Sequence, residues 1–398
     1  MAEKQRVLGN IPKVYLTSFL MGLAFFGAIV VPFFLDWGNL NYATIFTLEA
    51  AFSITIVLSE VPTGVFADKY GRKKSILVGI FLQILGILLF VALGPSFWVF
   101  FAAEIIWGAA MTFISGADRA LVFDSLLEAR QEKKAKDVFA NMRIADTAGF
   151  VIAAPAGAWV AANIGAYPGS LTLPFLLTAA AWALAFLVYL TVAEPKREKT
   201  QKSGFELAMK GFGELRHNRK LRSLAADFVS ISATAFFVFW FYQSLLRINE
   251  VDLQLYGLFS AAFNIASMLL LAKVARLEKW LGTGNLLFLS ALAIALAYLG
   301  LAMNTSLWFG MFAITVAVCA RTIRQPVFDH YLNFQIKSSE RATVLSAISA
   351  SERMVVAVLY PLVGFVADAS LQGAFLLLGA IALFFTLKMR SDERAFEK

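Results

Sequence analysis

Charge is scarce in this sequence. Only 16% of its 398 residues are charged and 59% are hydrophobic, whereas soluble domains carry about 25% charged residues. A water-soluble fold of this length needs far more polar surface, so a soluble globular protein is excluded. Histidine is almost missing, with His217 and His330 the two examples. There is no His-Glu-x-x-His pattern and no Cys–His set, which removes the residues a membrane enzyme would need for a metal centre or a nucleophile–base pair. The protein is therefore expected not to be an enzyme, and no catalytic residue, metal ligand or cofactor is assigned. The one cysteine, Cys319, lies in an apolar run and excludes an intramolecular disulfide framework. A Gly-x-x-x-x-Gly-Lys-Ser/Thr loop is absent too, so ATP does not drive the protein directly. Nor does the opening MAEKQRVLGNIPK offer a small-residue cleavage site behind a short apolar core. The first apolar run is expected to be a retained anchor.

What is abundant is apolar length. Runs of roughly 20 residues cross a ~30 Å hydrocarbon core as helices. Twelve are read here, at about 13–35, 43–66, 75–94, 97–121, 142–163, 171–192, 222–246, 254–274, 284–303, 306–328, 342–367 and 371–389. They lack the alternation of a membrane barrel, so the fold class is all-α, with twelve transmembrane helices. Lys and Arg concentrate before span 1 and after the even-numbered spans, and Arg247 is the only one in the segments on the other side. That asymmetry predicts a multi-pass protein of the cytoplasmic (inner) membrane with both termini cytoplasmic. The net charge of +8 then answers the anionic inner leaflet of the lipid bilayer rather than nucleic acid.

A long polar stretch divides the spans six and six, giving an N-terminal bundle 1–192, a cytoplasmic linker 193–221 and a C-terminal bundle 222–398. Within the linker Phe205, Ala208, Met209, Phe212 and Leu215 recur at helical spacing. Either a helix lying on the membrane face or a solvated basic linker fits. The halves echo each other. Arg119 and Arg324 stand 205 residues apart, as do Asp124 and Asp329, each pair within Arg-x-x-Val-Phe-Asp. Parallel six-helix repeats around a central site are a common secondary-transporter architecture.

One stretch breaks the scarcity of charge: GVFADKYGRKK, residues 64–74, packs one acid and four bases between two apolar runs. Gly64, Asp68, Gly71, Arg72 and Lys73, placed between spans 2 and 3, resemble the signature loop of the major facilitator superfamily, and the span count and half-repeat agree over the chain. The glycines permit a tight turn and close helix approach. Asp68 is suited to the N-terminus of a facing helix, and Arg72 or Lys73 to an acid such as Asp124. The resemblance implies a gate that closes the cytoplasmic side during alternating access. Its further members are Arg119, Arg324 and Asp329, the last paired with Lys273 or Arg276.

Acids and bases inside the spans cost on the order of 3 kcal/mol each near the midplane, so the deeper ones must meet one another or a wet cavity. Glu104, Trp107, Met111, Ser115 and Asp118 form one stripe on span 4. Proton-coupling candidates are Glu49, Glu104 and Glu352, then Asp118, Asp146 and Asp227. Substrate-binding candidates are Phe26, Trp107, Met111, Trp240, Tyr242, Arg321 and Arg353. Acids with aromatics suit an organic cation, zwitterion or amphipathic compound, while the arginines equally suit a carboxylate. Relative to the drug–proton antiporters of the resembled family, Glu104 stands where many carry Arg, and span 5 reads GFVIAAPAGAW with Ala154 before Pro155. The expected function is secondary transport of a small organic solute by a monomer, coupled to protons and directed outward. The alternatives are a nutrient importer or lipid transporter of the same fold and, more remotely, a non-transporting receptor or scaffold.

Overall fold

The structure, a computed structural model, describes residues 6–196, 213, 219–335 and 341–396. Among the described residues every regular element is helical. Twelve helices are long and apolar enough to cross a membrane. Spans 1 to 6 are Arg6–Ala28, Tyr42–Tyr70, Arg72–Ala92, Phe97–Glu128, Glu132–Asn163 and Gly169–Leu190. Spans 7 to 12 are Leu221–Ile248, Leu253–Leu271, Thr283–Met303, Leu307–His330, Val344–Ala369 and Leu371–Lys388. Helices are what an apolar chain must form in lipid, since each backbone N–H and C=O is then satisfied within its own segment. The expected surface helix of the linker falls on residues outside those described.

Two boundaries differ from the sequence reading for a physical reason. Span 2 stays helical to Tyr70 and span 3 starts at Arg72, so the charged stretch is almost wholly helix and the turn is a single residue, Gly71. Gly71 has φ +109°, a region that L side chains rarely enter, so glycine is required there. Gly64, by contrast, sits inside the helix with open space where a Cβ would be, and no close approach depends on it. Span 4 is not one helix either. It runs as Phe97–Ile114 and Ala117–Glu128, broken at Gly116 with φ +80°.

Contacts divide the chain into two units. The first comprises Met1–Asn39, Ala51–Gly204 and Asp252–Ala261. There span 1 lies against span 5 almost backbone to backbone: a Cβ on Gly149 would stand 2.3 Å from the Phe19 carbonyl oxygen. Such contact through small residues is how membrane helices gain packing without a hydrophobic drive. The second unit comprises Leu40–Ala50, Phe205–Val251 and Ala262–Lys398. Its core includes Phe228 stacked on Phe328 at 3.6 Å and a second aromatic group in which Phe46 meets Phe237, Trp240 and Tyr360. The start of span 2 joins this unit because Asp368, at the end of span 11, accepts hydrogen bonds from the N–H groups of Tyr42 (2.8 Å) and Ala43 (3.0 Å).

Candidate functional site

The turn at Gly71 leaves the N-terminus of span 3 with orphan N–H groups and a positive dipole, and no acid of its own in the first turn. Glu194, just past span 6, supplies the acid. Its two carboxylate oxygens accept the N–H groups of Arg72 and Lys73, each at 2.8 Å. The Arg72 guanidinium turns the other way, donating to the Ala120 carbonyl and forming an ion pair with Asp124. Lys73 Nζ donates to the Leu190 carbonyl at 2.7 Å. Asn10 closes the group, linking span 1 to Ser125 Oγ (3.0 Å) and to both backbone groups of Ala193. Two acids, Asp124 and Glu194, thus tie spans 3, 4 and 6 at one end, and the Asn10 amide adds span 1. Asp68 is not among them. It lies exposed in the last turn of span 2 and makes no hydrogen bond or ion pair among the described residues, so the helix-terminus role expected of it belongs to Glu194.

The short helix that carries Asp124 begins at Ala117, directly after Gly116. Asp118 occupies the first turn, where an acid complements the helix dipole, and its Oδ1 accepts the Arg119 N–H at 2.6 Å. Both residues line a cavity of about 480 Å³ between spans 1, 3, 4, 5 and 6, within the range of small-molecule sites. Asp146 also lines it and pairs with Arg143 at 3.3 Å. Elsewhere the walls are mostly apolar, with aromatic rings among them. Phe26, Trp107 and Trp182 stand with ring centroids 5.5 to 6.5 Å apart. The Trp182 indole N–H is already used on the Met21 carbonyl at 3.0 Å, which leaves its ring for apolar or π contact. In each charged neighbour pair the acid is the less exposed member, Asp118 against Arg119 and Asp146 against Arg143.

Of the predicted substrate residues, Phe26, Trp107 and Met111 come together in this cavity, with Ser115 and Asp118 of the same stripe. Glu104 is 2% exposed on span 4. Trp240 and Tyr242 lie buried in the second unit, Trp240 against Phe46 and Tyr242 against Phe263. Arg321 rests over the Phe236 ring and shares its electrostatic surroundings with Glu352, Arg353 and Asp329. Glu49 accepts a 3.4 Å hydrogen bond from Tyr360. Asp227, 1% exposed, faces Lys388 Nζ at 3.1 Å. The repeat has diverged. Arg324 is buried, donating to the Leu287 carbonyl at 2.6 Å over the Phe228 ring, whereas Arg119 is exposed. Asp329 accepts from Gln325, one turn back, at 3.0 Å. It forms no ion pair with Lys273 or Arg276 among the described residues, both of which are exposed; the turn-to-turn pairing of the first half has no copy there. Sequence reasoning missed Glu194, Asn10 and Trp182. Three bases, Arg72, Lys73 and Lys74, opening a helix without its own acid were the signal that could have led to Glu194.

The profile of the Major Facilitator Superfamily matches residues 14–328. The chain belongs to that superfamily. It is a multi-pass membrane transporter of small molecules, and not an enzyme. Multidrug resistance protein 2 of Bacillus subtilis (strain 168) is 31% identical over 132 residues, covering 33% of this chain and 32% of the relative; the match spans about a third of that protein's length. Solved structures resemble nearly the whole chain. A mutant of the nucleoside transporter NupG superposes with TM-score 0.82 at 16% identity, over 96% of this chain and 99% of that one. A D-xylose-proton symporter gives 0.74 at 15%, over 96% and 97%. A POT family transporter in complex with 5-aminolevulinic acid gives 0.76 at 12%, over 98% and 97%. At these identities the likeness is one of fold.

Proposed function

We propose that this member of the superfamily exports an amphipathic organic cation across the cytoplasmic membrane in exchange for protons, with both termini on the cytoplasmic side. The observation that carries the reading is the cavity of the first unit. Phe26, Trp107 and Trp182 stand in its apolar walls and two acids, Asp118 and Asp146, lie on the same lining. Rings attract cations through their quadrupole, and a carboxylate in a half-buried site both pairs a cation and takes up a proton, so the two compete for it. Asp118 is the better placed acid, because Asp146 is already paired with Arg143, whereas Asp118 makes no ion pair among the described residues. Resemblance over a third of its length to a multidrug resistance protein supports outward transport of such compounds. The Arg72–Asp124 pair and Glu194 would serve as gate elements, since the helix 117–128 joins them to the cavity.

The test is transport in proteoliposomes holding purified protein, with a fluorescent lipophilic cation and an imposed pH gradient. Wild-type protein should move the cation against its gradient when the opposite compartment is acidic. Asp118→Asn should abolish gradient-driven transport, and Glu104→Gln, tested alongside, should retain it. Transport by Asp118→Asn at the wild-type rate, at equal protein density, would remove Asp118 from the mechanism. Loss in Glu104→Gln alone would transfer coupling to that residue.

A further inference from the structure

Beside its acids and rings, the cavity wall carries uncharged polar side chains. Thr17 of span 1 and Gln83 of span 3 both line it and are 6% and 7% exposed. The Thr17 hydroxyl and the Gln83 side-chain carbonyl oxygen are buried and have no hydrogen-bond partner among the described residues. For a threonine in a membrane helix this is unusual, because the hydroxyl ordinarily bonds back to a carbonyl three or four residues earlier. Thr63, Thr112, Thr178, Thr234 and Thr386, the other buried threonines among the described residues, all do so at 2.7 to 2.8 Å. Of these buried threonines only Thr17 lacks that bond. The two residues also share a depth. Each lies eleven residues in from the first residue of its span, about 16 Å along the helix and so near the middle of a ~30 Å core.

A buried acceptor left unmade costs free energy that a ligand donor recovers, and a site built to hydrogen-bond a group rejects the analogue that lacks it far better than an apolar pocket senses an extra methyl. We infer that Thr17 and Gln83 select, among organic cations, amines bearing at least one N–H over quaternary ammonium ions of the same shape. The inference rests on the cavity being the substrate site. The aromatic rings and Asp118 attract both kinds of cation through charge. What separates the two is a donor hydrogen for the Gln83 carbonyl and the Thr17 oxygen, which a quaternary nitrogen does not possess.

The experiment is calorimetric titration of the purified full chain in nanodiscs with 1-naphthylmethylamine at a pH where it is protonated, and with its N,N,N-trimethylammonium counterpart. The wild type should bind the amine more tightly by about tenfold, the worth of one hydrogen bond from a charged donor. Gln83→Leu and Thr17→Val remove the polar atoms with little change of volume. Each should weaken amine binding and leave the quaternary ion unchanged, so that the preference shrinks. Thr17→Val is close to isosteric and carries the test if the larger change disturbs folding. Equal binding of both cations by the wild type overturns the inference, as expected if water alone fills the place. Parallel losses for both cations in the variants, or an unchanged ratio, overturn it as well. Binding of neither cation by the wild type overturns the cavity as a cation site, and the selectivity with it.

Discussion

Glu194 is the residue whose removal most directly tests the reading of the charged turn. Replacing it with alanine deletes two hydrogen bonds, each 2.8 Å, from a carboxylate to the first N–H groups of a 21-residue helix. Loss of a side-chain cap costs about 1 kcal/mol and up to ~2. An anion at the positive helix end adds about 0.3–1 kcal/mol. The expected total is about 2 kcal/mol, because Glu194 is half-buried and its acceptors are charged. A protein of 150–250 residues loses ~2–4 °C per kcal/mol, and a larger one less, so Tm should fall by about 2–4 °C. Glu194→Gln keeps one acceptor and should lose about half of that.

Asp68→Asn is the control. Asp68 makes no hydrogen bond in the described structure, and an exposed substitution of this kind changes stability by ~0.5 kcal/mol or less. Its Tm should stay at the wild-type value. Transport should nonetheless fall, because a group that acts in one conformation shifts the balance between states without weakening this one. The assay is thermal unfolding followed by intrinsic tryptophan fluorescence in one detergent for all variants, with transport rates measured in parallel. Wild-type Tm in Glu194→Ala, or equal destabilisation in Asp68→Asn, would refute the assignment of the cap to Glu194 and return it to Asp68.

Two further substitutions probe other contacts. Lys388→Met removes the base facing a carboxylate that is 1% exposed and should destabilise the second unit by on the order of 2–3 kcal/mol, while Asp227→Leu combined with Lys388→Met should recover part of that loss; equal Tm values for the single and double variants would count against the pair. Gly116→Ala forces a side chain into φ +80° with no neighbour to clash, a cost of about 1–2 kcal/mol. It should lower Tm and slow transport together, and an unchanged transport rate would show that the break in span 4 has no part in the cycle.

The architecture was legible because the bilayer imposes one dominant rule, apolar length, and twelve runs obeyed it. Where the rule misled, hydrogen bonding was the reason. The apolar stretch after Ala28 continues to Leu35, so span 1 was expected at 13–35, yet the chain there makes separate short turns at Val30–Pro32 and Phe33–Trp37, and the span itself begins earlier, at Arg6. Hydropathy counts greasy residues, not which carbonyl each N–H meets. The stripe on span 4 was legible for a similar local reason: residues three and four apart share a face whatever surrounds them, and Trp107, Met111, Ser115 and Asp118 do line one cavity.

Partnership was harder to read. The repeat Arg-x-x-Val-Phe-Asp drew attention to Asp124 and Asp329 equally, but among the described residues only Asp124 has an arginine delivered to it, because the one-residue turn at Gly71 swings Arg72 onto span 4. Glu194 is more than 120 residues from the N–H groups it caps, a distance over which periodicity carries no signal. Thr17 and Gln83 were passed over for the opposite reason. In a sequence, an uncharged polar residue within an apolar run looks like packing, and threonine usually is, since its hydroxyl has a carbonyl of its own helix within reach. What distinguishes Thr17 is a bond that it does not make. Such absences mark the places where a fold has left room for something else to bind, and they follow only from accounting for every buried donor and acceptor in three dimensions.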